Sequence, residues 1–198
     1  MVIFDCTKQL ILEDKRVRLT PLVSEDADSL LPIVLHKPKL HQYSPSEAHT
    51  PELLATYIAG ALLLKTQGIR YPFLIFDKKA KKYAGSTSFG NISNKNSRVE
   101  IGWTWIGYDF QGTGLNTHMK FLMLQYAFET LGFERVELKA DGRNTQSRRA
   151  MEKIGATFEG TLRSHTVMSD GYRRNTVYYS ILQSEWQGVK AGLIRRMA

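Results

Sequence analysis

The chain has 198 residues, 42% hydrophobic and 23% charged, with a formal net charge of +8. That is the profile of one globular domain with a sizeable core; no apolar run approaches the ~20 residues a bilayer span needs, and the lone Cys6 excludes an internal disulfide or a cysteine-based zinc cluster. A basic surface attracts nucleic acid, an anionic membrane or a phosphate-bearing cofactor, but the densest basic run, KKAKK at 78–82, falls where a hairpin turn is expected and nucleic-acid binding is disfavoured.

The first segment, MVIFDCTKQLILEDKR, lacks the three regions of a signal peptide, so a cytoplasmic protein is expected. Residues 15–23 alternate as a strand, with Val17, Leu19 and Pro21 on one face. Ser24, Glu25 and Asp26 read as a helix start. Thr50-Pro51-Glu52 supplies an N-cap, a proline at the first helical position and an acid in the first turn of a helix over 50–66. Strands follow at 70–78, 82–92 and 97–107, separated by turn residues and paired as an antiparallel meander. Alternation in the third puts Val99, Ile101, Trp103 and Trp105 on one face and Glu100, Gly102 and Thr104 on the other. A helix runs from about Gly114 to Leu131 on an apolar stripe of Leu115, Met119, Leu122, Met123, Tyr126 and Ala127, and Gly132 stops it. FERVELKA is a strand; Asn144 opens a helix that Gly155 ends; two final strands meet at an Asp170-Gly171 turn. The order β-α-α-β-β-β-α-β-α-β-β makes one α/β layer on a single sheet. The domain is read as 1–198, with 1–14 an N-terminal extension and 187–198 a C-terminal tail.

The segment GYDFQGTGLNTHMKFL carries the chemistry. A strand ends near Gly107, and a loop with Gly112 and Gly114 opens a long amphipathic helix. The first amides of a helix lack internal partners and carry the positive end of its dipole. A glycine-rich entry lets phosphate oxygens approach them. The spacing is neither GxGxxG nor GxxxxGK[ST]. On its own the loop also fits a plain turn.

The stretch EIGWTWIGYDFQGTGLNT resembles the signature of the GNAT N-acetyltransferases, an Arg or Gln followed by x-x-G-x-G/A. Gln111 and Gly114 match its first and fourth positions, and Asn116 stands where Gly or Ala is usual. YAFETLGFERVELKADGRNTQSRRAMEKIGATFEGTLR and the ending YYSILQSEW resemble the branch of bacterial ribosomal-protein N-terminal acetyltransferases; the likeness covers roughly residues 15–186. It implies a mixed, mostly antiparallel sheet of about seven strands, helices on both faces, and a splay between the family's fourth and fifth strands that admits acetyl-CoA. It further implies acetyl transfer to a primary amine, a protein N-terminus or a small molecule, without a metal. Dimers are common in the branch.

Residue by residue, the resemblance assigns the donor to Trp105, Ile106, Gln111, Gly112, Thr113, Gly114, Leu115, Asn116, Asn144 and Arg149. The amide after Trp105 would donate to the thioester carbonyl. Asn144 is equally an N-cap bonding Ser147; in the family it holds the pantetheine arm, and Ser147 can protonate the leaving thiolate. Glu100 would take the proton an alkyl amine must lose, or is a charged residue in an ion pair. His118 and His165 are alternative bases or structural histidines. Arg143, Arg148 and Arg149 crowd the Asn144 helix and either meet phosphate or lie on the surface. A CoA-binding module without turnover, or a basic nucleic-acid binder, are the competing classes.

Overall fold

The computed structural model describes residues 2–36 and 38–198. Strands β1 (Leu12–Glu13), β2 (Val17–Pro21), β3 (Arg70–Asp77), β4 (Lys82–Ser93), β5 (Arg98–Ile106), β6 (Arg135–Asp141), β7 (Thr157–Val167) and β8 (Arg173–Leu182) form one sheet, ordered β1-β2-β3-β4-β5-β6-β8-β7. The strand beyond the seven expected is the two-residue β1. Helices α1 (Ala27–His36) and α2 (Pro51–Thr66) cover one face. Helices α3 (Leu115–Gln125), α4 (Thr145–Lys153) and α5 (Trp186–Met197) cover the other. Residues 187–198, expected as a tail, are nearly all in α5, whose Trp186 and Leu193 sit in the core. Phe4 likewise packs edge-on against Tyr71 and Phe89.

Local signals account for several boundaries. Thr50 caps α2, accepting from the Leu53 amide at 3.2 Å, with Pro51 next. The helix expected to run to Leu131 is α-helical to Gln125 and continues as a π-helical turn over Tyr126–Thr130 before Gly132.

All strand pairs are antiparallel except β5 with β6, which run parallel for three residue pairs only, Arg98–Glu100 against Arg135–Glu137. Beyond that point β5 stays paired to β4 as far as Ile106, and β6 to β8 as far as Asp141. The two strands therefore part, and the sheet opens into a wedge with Glu100 at its vertex.

The alternation expected along β5 is overturned in its second half. Ser88 pairs Gly102 and Ser86 pairs Trp105, so β5 spends three residues where β4 spends two. Trp103 occupies this bulge with φ 49°. One extra residue inverts the facing of everything after it. Val99, Ile101 and Ile106 join the α3 side, as does Thr104, which meets Lys120 of α3. Trp103 and Trp105 join the α1–α2 side, where Glu100 lies beside Gly102. Gly90 of β4 makes room for the turned indole: a Cβ there would stand 2.0 Å from the Trp103 ring.

Candidate active site

The wedge is the mouth of a cleft of about 730 Å³. Its donor arm runs between the openings of α3 and α4. Its other arm is walled by Leu40–Pro45 and Tyr57 on one side and by His165, Arg174, Thr176 and Tyr178 on the other.

The donor arm begins at the α3 entry. Gly114 precedes the helix with φ 87°, a left-handed conformation that glycine adopts without a Cβ penalty. The Gln111 amide closes a turn on the Tyr108 carbonyl, and the Gln111 side chain donates to the Ile106 carbonyl at 2.8 Å. Among the described residues no hydrogen bond involves the amides of 112–116, which open the helix. Together with the dipole this is a cradle for anionic oxygens. Arg16 of the β1–β2 turn steadies it, donating to Thr113 Oγ1 at 3.2 Å while it pairs with the buried Asp77 at 2.7 Å. Across the arm, Asn144 caps α4 by accepting from the Ser147 amide at 2.9 Å, and Gln146 donates to Gln111 Oε1 at 2.8 Å.

At the vertex Glu100 is buried. Its Oε2 accepts from Asn91 at 2.6 Å and from Lys139 at 2.8 Å. Oε1 faces Gly102, where a Cβ would come within 2.7 Å. Burial works against the Lys139 ammonium, but the charge and hydrogen bond of Glu100 more than offset it, and its pKa is raised. From below, Lys120 of α3 lines the cleft and donates to Thr104 Oγ1 at 3.0 Å. Only 6% exposed, its ammonium is destabilised by burial, with Glu100 partly compensating, and its pKa falls to about 7.

A family model described as an acetyltransferase (GNAT) domain matches residues 16–157, across the meander, the α3 entry and α4. The chain belongs to the GNAT acetyltransferases. A relative from Bacillus subtilis (strain 168), "Putative ribosomal N-acetyltransferase YdaF", is 38% identical over 106 residues, 54% of this chain and 57% of that protein. The match thus spans little more than half the length of that curated relative. An acetyltransferase structure from T. thermophilus superposes with a TM-score of 0.86 at 34% identity, covering 95% of this chain and 97% of that one. A GCN5-related N-acetyltransferase from Brucella melitensis gives 0.89 at 29% identity, over 96% and 86%. The chain is therefore an acyltransferase enzyme. Among the described residues, no helix is long and apolar enough to cross a membrane, and no cluster of three or more His, Cys, Asp or Glu could hold a metal.

Of the residues expected to serve this GNAT site, Glu100, Trp105, Ile106, Gln111, Gly112, Gly114, Asn116, Asn144 and Ser147 line the cleft. Thr113, Leu115 and Arg149 do not. Leu115 is fully buried in the core beneath the cradle, Thr113 turns its hydroxyl back to the Phe110 carbonyl, and Arg149 lies exposed on the outer side of α4. Arg143 is held by Asp141 and stacks on Tyr172; Arg148 reaches Tyr179. His118 lies off the cleft, bonded to Asp14 at 2.6 Å, and ties α3 to the β1–β2 turn. His165 lines the cleft with its ring on the Thr176 hydroxyl at 3.0 Å. Sequence reasoning missed Lys120, Lys139, Asn91, Arg16, Arg174 and His41. Lys120 left a trace: it directly follows Met119 and precedes Met123 by three, on the shoulder of the apolar stripe, where a solvated lysine is out of place.

Proposed function

We propose that this chain transfers the acetyl group of acetyl-CoA to a primary amine by direct attack in a ternary complex. The observation that carries the reading is the row of unpaired amides at 112–116, opening α3 into a cleft whose vertex holds a buried carboxylate. Acetyl-CoA supplies the thioester; its pyrophosphate fits the cradle, and Asn144 and Ser147 border the path of its pantetheine arm. The amine enters by the arm opposite. Glu100 Oε1, the oxygen without a Lys139 or Asn91 contact, takes the amine proton directly or through water. The amine nitrogen then bonds the acetyl carbon, the carbon–sulfur bond breaks, and Ser147 is placed to return a proton to the departing sulfur. The main contribution of the protein is positioning and proton management. The YdaF likeness favours a protein N-terminus as acceptor, with small amines as the alternative.

A free-thiol release assay with acetyl-CoA, run against an amine panel that includes ribosomal N-terminal peptides, tests the reading; no binding of acetyl-CoA would overturn it. One observation favours a second reading, a CoA-binding module without turnover: Glu100 Oε2 is already engaged by Lys139 and Asn91. Binding of acetyl-CoA with no thiol release on any amine would establish that module instead.

A further inference from the structure

The acceptor arm is richer in positive charge than its one candidate base suggests. Arg174 lines it, half-buried, with Nε donating to Thr176 at 3.1 Å and Nη1 to the Tyr43 carbonyl at 3.2 Å. Among the described residues its Nη2 has no hydrogen-bond partner, and no carboxylate lies within ion-pair distance of the guanidinium. The acids whose charge reaches it are Asp141 and Glu100. Each is already held by another cation, Asp141 by Arg143 and Glu100 by Lys139, both at 2.8 Å.

Behind the wall lies Arg70, 3% exposed, sandwiched against the Tyr57 and Trp103 rings and donating to Ser88 and the Tyr57 hydroxyl. It too has no carboxylate partner among the described residues. A buried cation without an anion is costly unless the bound state supplies one. Along the sheet Arg70 pairs with Gly90 and Gly90 with Glu100, so only the Trp103 ring over Gly90 stands between the arginine and the vertex. A further sign that the arm awaits a polar occupant is a set of unbonded buried atoms: both ring nitrogens of His41 and Trp105 Nε1. His41, pushed down to about 4 by burial and the charge of His49, is neutral and adds no charge of its own.

We infer that the acceptor is an amine carrying a carboxylate within a few bonds, with Arg174 holding the carboxylate and the amine presented to Glu100. This rests on the acetyl-transfer reading above and narrows it. Arginine suits the task because its planar fork matches a carboxylate, and Arg70 adds an unopposed positive field from behind. Two sources present this chemistry: a free α-amino acid, and a peptide whose second residue is acidic.

Matched pairs test it. Free amino acids are compared with their C-terminal amides, and peptides beginning Ser-Asp with those beginning Ser-Asn. Transfer is followed by thiol release; binding of N-acetyl-alanine and its amide is followed by calorimetry, which needs no turnover. The carboxylate member is expected to win by about tenfold or more in both readouts, as one charge-assisted contact allows. Arg174→Gln should collapse that ratio toward one, and Arg174→Lys should keep part of it. Preference in the amino-acid arm alone identifies a small acceptor; in the peptide arm alone, a chain terminus. Amides that bind and react as well as acids overturn the inference, as does a ratio that survives Arg174→Gln in a folded protein. If no amine releases thiol but the carboxylate still binds better, the transfer reading fails and the anion site stands.

Discussion

Lys120 Nζ lies 3.0 Å from Thr104 Oγ1, and that hydroxyl is its one hydrogen-bond partner among the described residues. A lysine on the core-facing shoulder of α3 thus meets a threonine that only the β5 bulge turns toward it. Burial lowers the Lys120 pKa from 10.5 to about 7, against the pull of Glu100. The unfolded chain therefore binds more protons than the folded chain between those two values, and stability rises with pH across that window by up to about 1.4 kcal/mol per unit. Below pH 7 the full penalty of the buried charge remains. Lys120→Met should be more stable than the parent at pH 6, with the gap closing toward pH 10. Urea unfolding at both pH values reads this, and a gap independent of pH would show that the amine does not titrate there.

Glu100→Gln removes the proposed base while keeping the Asn91 and Lys139 contacts available. Transfer should fall about 100-fold or more, with acetyl-CoA affinity changed less than about twofold. Gly102→Ala should act alike for a different reason, since its Cβ would press on Glu100 Oε1 at 2.7 Å. Calorimetry with acetyl-CoA beside thiol release separates the two effects. Unimpaired turnover in Glu100→Gln would leave water as the base.

Gly90→Ala sets a Cβ 2.0 Å from the Trp103 ring, which has no nearby place to go. The cost should be about 1–3 kcal/mol, typical of overpacking. A drop in melting temperature with a changed near-ultraviolet tryptophan spectrum is the expected signature.

Asn144→Ala deletes the cap of α4 and should cost about 1 kcal/mol. Asn144→Asp restores an acceptor for the Ser147 amide without the amide donor. If Asn144 also touches the donor, the Asp variant regains stability but not acetyl-CoA affinity; recovery of both would make it a cap alone.

The positions read correctly from sequence were those set by neighbours in the chain. Thr50-Pro51 starts α2, and Gly132 and Gly155 end their segments at left-handed angles. The glycine entry to α3 and the Asn144–Ser147 cap are also local, and the family assignment followed from their order. The facing of Trp103 and Trp105 was not legible, because a single bulged residue inverts an alternation that sequence spacing assumes unbroken.

Glu100 was legible as a carboxylate on a strand; its contacts were not. Whether it is free or held depends on Lys139 of β6, brought beside it by a parallel pairing of three residues, and on Asn91 at a left-handed turn of β4. Sequence alone thus determined the family, the phosphate cradle and the candidate base, since these rest on short-range backbone geometry. Tertiary structure alone decided the charge of the cleft: it buries Lys120 and Arg70, occupies Glu100 with Lys139, and leaves Arg174 facing the acceptor arm. Burial and distance between charges, not their count in the chain, set electrostatic energy.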